Sequence, residues 1–112
     1  MNPNQMGDLL KQVSRMRKDM DKVNEELKQR YVDASVGGGL VEVMFNGQQE
    51  LVKVSIDSQS IEKDTEGNPD FEMLEDLIVA AVNQGVEKSK AMMNEEMDKA
   101  TGGLAGNLPG LL

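Results

Sequence analysis

The chain has 112 residues, 38% of them hydrophobic, and a net charge of −8, with no cysteine and no histidine. That length holds one domain. The missing residue types exclude disulfides, thiolate chemistry and zinc-thiolate sites, and remove the commonest general base and transition-metal ligand. Met1-Asn2-Pro3-Asn4 does not open a secretory signal, and no apolar run nears the roughly 20 residues of a membrane span, so a soluble cytoplasmic protein is expected.

The first predicted element is a helix over Asn4 to Lys28. Met6, Leu9, Val13, Met16, Met20, Val23 and Leu27 fall at alternating steps of three and four, an a/d heptad seam. So narrow a stripe suits a helix that pairs with another helix, not one lying on a globular core. At 1.5 Å per residue the element is a rod about 38 Å long, more than one small domain can cover. The spacing therefore predicts a homodimer with protruding helices, in which the seam joins the two arms or packs on the C-terminal helix of either subunit. Only three aromatics are present, Tyr31, Phe45 and Phe71, against nine methionines. A core so thin also favours burial between subunits.

Past Leu27 the seam stops, since Arg30 stands where the next apolar residue is due. Three strands follow. Tyr31–Val36 alternates with Val32, Ala34 and Val36 on one face; Leu40–Phe45 places Val41, Val43 and Phe45 together; Leu51–Ile56 does the same with Val52, Val54 and Ile56. Gly37-Gly38-Gly39 permits a turn with positive φ, and Asn46-Gly47 is the strongest short-range hairpin signal, with a loop from Asn46 to Gln49 or slightly longer. A three-stranded antiparallel meander results, and its apolar side needs a cover.

The cover is predicted from the C-terminal half. After a polar connection with a turn near Ser58–Ile61, Asn68-Pro69 reads as N-cap and first helical residue. Asp70, Glu72, Glu75 and Asp76 suit the positive end of the helix dipole. Phe71, Leu74, Ile78, Ala81, Val82 and Gly85 trace one face, continued by Val86, Met93, Met97 and Ala100. Gly85, costly in mid-helix, is read as a point of close helix approach. The fold class is α+β: one α-β-β-β-α domain over residues 1–100, with a Gly/Leu-rich tail over 101–112, expected to be mobile or docked only in the assembly.

At this point the chain resembles a known family. Gly37-Gly38-Gly39-Leu40-Val41-Glu42-Val43, Asn46-Gly47 and Val52-Lys53-Val54-Ser55-Ile56-Asp57 are similar to the signature of the YbaB/EbfC family of bacterial nucleoid-associated proteins. So are the Met-rich heptad helix, the helix opened by Glu72-Met73-Leu74-Glu75-Asp76-Leu77, and the Thr101-Gly102-Gly103-Leu104…Leu108-Pro109-Gly110-Leu111 tail. The resemblance spans roughly residues 5–112. It implies a tweezer-like homodimer that binds double-stranded DNA with weak sequence preference in the bacterial nucleoid. It implies no catalytic residue and no cofactor; no membrane and no small-molecule substrate are expected as partners. The family's DNA contacts follow no motif, so no site residue is carried over.

The charge distribution supplies the candidate site. Residues 1–31 hold seven basic against five acidic side chains, and the remainder five basic against fifteen acidic. A polyanion must therefore meet the first helix. Lys11, Arg15, Lys18 and Lys22 stand at heptad positions f and c, a positive stripe away from the seam, with Arg17 beside it at e. This stripe is the candidate contact for DNA phosphates, and a solvated outer face is its plain alternative. No aromatic interleaves with the cations, so single-strand stacking is not indicated. The acidic stretch Asp57, Glu62, Asp64, Glu66, Asp70 fails the EF-hand register, and no metal site is expected. The six serines lack a histidine or Ser–Lys motif to activate them, so no catalytic residue is expected. The second reading of function is an acidic dimeric adaptor that binds proteins.

Overall fold

The computed structural model describes residues 2–102. It runs α1 (Pro3–Leu27), β1 (Tyr31–Val36), β2 (Val41–Asn46), β3 (Leu51–Ile56) and α2 (Phe71–Ala100), with 3₁₀ turns at Gly37–Gly39 and Ser58–Ser60. This is the α+β order read from the sequence, two long helices flanking an antiparallel meander of order β1-β2-β3.

α1 begins with a reciprocal cap. The Gln5 N–H donates to Asn2 Oδ1 at 2.8 Å, the Asn2 N–H donates to Gln5 Oε1 at 3.2 Å, and Pro3 occupies the first turn, where its missing N–H costs nothing. In the sheet, β1 and β2 pair from Tyr31 with Asn46 to Val36 with Val41. Between them Gly37, Gly38 and Gly39 have φ of 65°, 67° and 96°, a run that side-chain-bearing residues adopt only at a cost. The second hairpin departs from the two-residue Asn-Gly form. Its positive φ, 61°, is at Gln49, and the Asn46 N–H reaches across the loop to the Glu50 carbonyl at 3.0 Å. Gly47 is needed there for room, as described below.

The second helix starts later than Asn68-Pro69 suggested. Pro69 pairs with Lys63 in an isolated bridge, and the Asp70 N–H donates to the Glu62 carbonyl at 2.8 Å. The Asp64 carboxylate accepts from the Asn68 and Glu66 N–H groups, closing residues 61–69 into a tight loop. Those bonds hold Asn68 and Pro69 in extended pairing, so the cap passes to Asp70, whose Oδ1 accepts from the Met73 N–H at 3.0 Å. Phe71, expected on the inner face, is exposed as a result.

The core is Ala34, Leu40, Val41, Val43, Phe45 and Ala81, with Leu74, Leu77, Ile78, Val82 and Val86 packed against it. Gly85 does mark a close approach, to a strand and not to a helix: a Cβ there would collide with the Phe45 ring and crowd Val43. The meander is covered only in part. α2 crosses β1 and β2, while Leu51, Val52, Val54 and Ile56 of β3 stay exposed, because one helix is too narrow for three strands. The molecule measures 80 × 24 × 15 Å with a radius of gyration of 21.0 Å, against about 13 Å for a compact chain of this length. Of the expected tail, residues 103–112 lie outside the described residues.

Candidate nucleic-acid interface

The arm is a helix rooted at one end. At its root, Leu27 is buried at 1% exposure, and its carbonyl accepts the Gly47 N–H at 2.8 Å. Gln48 Nε2 donates to the Asn24 carbonyl at 2.7 Å. Arg30 ends the seam because its guanidinium, 2.9 Å from Glu96 Oε1, ties the chain after α1 to α2. This bond, with a second from Lys99, holds the Glu96 carboxyl below the usual carboxylate range. Asp19, Lys22, Val23 and Glu26 face Glu96, Lys99 and Ala100 across a shallow groove between the helices.

Burial falls steadily along the seam. Leu27 is buried, Val23, Met20 and Met16 are half-buried, and Val13, Leu9 and Met6 are exposed. From Pro3 to Arg15 every side chain is open to solvent. The inner seam thus packs beside α2 of the same chain, and the outer seam projects bare.

Of the five predicted cations, Lys11 and Arg15 lie on the projecting turns, while Arg17, Lys18 and Lys22 lie on the half of α1 that packs beside α2, where Lys22 lines the groove that faces Glu96. Lys11, Arg15, Arg17, Lys18 and Lys22 are all exposed, and none forms an ion pair among the described residues. The ion pairs that do form fall to Lys28, Arg30 and Lys99 at the arm's root. From Lys11 to Lys22 the stripe runs about 16 Å. It ends at each side on an acid in the same register, Asp8 and Glu25.

The supports for this arm were largely hidden in the sequence. The Asn46–Glu50 loop holds three elements at once. Ser89 of α2, fully buried, donates to the Asn46 carbonyl at 2.6 Å and accepts from Gln49 N and Nε2, both at 3.1 Å. The Asn46 carboxamide closes the loop internally on Gln48 and Glu50. Gln48 then reaches α1. A serine in an apolar helix face was the one available signal, since a buried hydroxyl must find partners. Among the described residues, no group of three or more His, Cys, Asp or Glu side chains could hold a metal, and no helix is long and apolar enough to cross a membrane.

The fold is an acidic α+β body bearing a long helix whose five candidate cations are exposed and, among the described residues, form no ion pair. The chain belongs to the YbaB/EbfC DNA-binding family, whose sequence model matches residues 1–104. It is 43% identical over 106 residues to a nucleoid-associated protein of Thermoanaerobacter sp. (strain X514), covering 95% of this chain and 89% of that one. It is 46% identical over 102 residues to a nucleoid-associated protein of Syntrophobacter fumaroxidans, covering 91% and 86%. The crystal structure of the uncharacterized protein HP0035 from Helicobacter pylori is similar in fold, with a TM-score of 0.64 and 29% identity over 85% of this chain and 91% of that one.

Proposed function

We propose that this chain is a nucleoid-associated protein that holds double-stranded DNA as a homodimer, gripping phosphates with Lys11, Arg15, Lys18 and Lys22 of α1, flanked by Arg17. The observation that carries this reading is that all five cations stand exposed along α1 and, among the described residues, none of them forms an ion pair. A net charge of −8 per chain would repel DNA from a compact molecule. At physiological salt the Debye length is about 8 Å, so a duplex at the outer arm is screened from most of the body. Two arms from one dimer supply a pair of such stripes. Lysines and arginines on one helix face, with no recognition-helix motif, contact backbone and not base edges, which gives weak sequence preference. Nothing in the reading calls for a cofactor or a small-molecule substrate.

Gel shifts across a salt series test it. Neutralising three to five phosphates gives a log–log salt slope near −3 to −4.5. The Lys11/Arg15/Lys18/Lys22→Ala variant is expected to bind far more weakly and with a shallower slope. Wild type that fails to shift DNA at low salt, or a variant with unchanged affinity and slope, would refute it in favour of a protein-binding adaptor.

A further inference from the structure

Ser14 stands inside the cation stripe of α1. It is exposed, and residues 10–18 around it hold Lys11, Arg15, Arg17 and Lys18 with no acidic side chain. At 100° per residue it lies about 40° from Lys18 and about 60° from Lys11 and Arg17, between them on the helix wheel. Residues three and four apart on a helix have Cβ atoms about 5–6 Å apart, so all three cations can reach a group carried on its Oγ. The other exposed serines and threonines among the described residues sit beside carboxylates. Ser35 is two residues from Asp33 and Ser60 two from Glu62, while Ser58 and Thr65 directly follow Asp57 and Asp64. Ser60 moreover donates to Asp57 Oδ2 at 2.7 Å, and Ser89 is buried. Of these hydroxyls, Ser14 alone would carry an anion among cations.

We propose that Ser14 is a phosphorylation site, and that a phosphate there releases the arm from DNA. The inference deepens the reading above, on which it rests, by giving the phosphate-gripping stripe an off state. The phosphoryl donor is ATP, acting through a protein serine kinase. Ser14 Oγ bonds to the γ-phosphorus, the bond from that phosphorus to the β–γ bridging oxygen breaks, ADP leaves, and the hydroxyl proton passes to a base of the kinase. The product carries about −1.5 to −2 at neutral pH, so the +4 of Lys11, Arg15, Arg17 and Lys18 falls to about +2. Its oxygens also accept charge-assisted hydrogen bonds from Lys11, Arg17 and Lys18, which withdraws those side chains from a duplex. Access suits a transferase. The side chains from Pro3 to Arg15 are open to solvent and rest on no neighbour among the described residues, so local opening that presents Ser14 to a kinase cleft costs little.

The test uses the full chain with phosphoserine placed at position 14 during synthesis, beside the unmodified chain. In gel shifts the phosphorylated chain is expected to lose affinity at low salt and to show a log–log slope shallower by about 2 to 3, the share of three phosphate contacts. Failure of the unmodified chain to shift DNA would sink the reading above, so the clamp on the phosphate is also read without DNA. In a phosphorus NMR titration the second ionisation of the Ser14 phosphate should fall below its ordinary value of about 6, and return to it in a Lys11/Arg17/Lys18→Gln variant. Peptide mapping of the chain isolated from its own cells under phosphatase inhibition should find phosphate on Ser14 and none on Ser35, Ser58, Ser60 or Thr65. A Ser14 that stays unmodified in cells, an ordinary titration, or a phosphorylated chain that binds DNA with unchanged affinity and slope would overturn the proposal.

Discussion

Gly47 lies so close to Leu27 that a Cβ on it would come within 2.6 Å of Leu27 Cδ2 and 2.8 Å of the Leu27 carbonyl oxygen. This contact fixes the arm to the sheet. The constraint is space: Gly47 has no positive φ, and the obstructing atoms include backbone. Gly47→Ala should cost about 1–3 kcal/mol by overpacking, measured by urea denaturation. Leu27→Ala should cost about 2–5 kcal/mol, because its site cannot collapse freely around a rooted helix.

Two glycines in helices should respond to alanine with opposite signs. A Cβ on Gly7, out on the bare arm, would meet nothing within 4 Å, so Gly7→Ala should stabilise by about 0.5–1 kcal/mol. Gly85→Ala should destabilise by about 1–3 kcal/mol despite the better helix propensity, since the Phe45 ring must move. Thermal melts of the two variants side by side check the contrast.

Ser89→Ala should cost about 1–3 kcal/mol, more than a surface serine, because it strips partners from the Asn46 carbonyl and from Gln49 in a buried setting. Loss of the bond to Gln49 should also loosen the loop that roots α1, read as faster amide exchange at Gln48 and Gln49.

The Arg30–Glu96 tie makes a signed pH prediction. A carboxyl whose folded pKa is depressed, here by Arg30 first and then Lys99, binds protons more readily when unfolded. Its contribution is present above the unfolded pKa, near the ordinary glutamate value of 4.5, and is lost as pH falls through the lower folded value. Glu96→Gln should flatten stability against pH in that acidic window. Denaturant midpoints at neutral and acidic pH, wild type against variant, measure it.

Single charge removals separate arm from body in DNA binding. Arg15→Ala should make the log–log salt slope shallower by about 0.9, the share of one phosphate. Lys63→Ala, in the loop before α2, should leave it unchanged.

The sequence made the element order legible because each element rests on a local period: the heptad for α1, alternation for the strands, and the Gly37–Gly39 and Asn46-Gly47 breaks between them. The start of α2 was misplaced because the Asp64 turn competes for Asn68 and Pro69, and such side-chain bonding leaves little trace in apolar periodicity. Alternation in β3 located its apolar face but could not tell that the helix cover stops at β2. The cations of the arm were readable from spacing alone. Their supports, Gln48 to Asn24 and Ser89 to Asn46, join residues 24 and 43 positions apart, a separation at which no spacing rule operates.

The side chains of the outer turns of α1 are exposed from Pro3 to Arg15 and rest on no neighbour among the described residues. A helix of 12–15 residues standing by itself is marginal in water, so order in the limb must propagate outward from its anchored end. Fraying should grow turn by turn toward Pro3, and the molecule meets its ligand with its least protected backbone. Engagement of a duplex would then be felt as stiffening, in which the limb acquires from outside the rigidity that its own fold withholds.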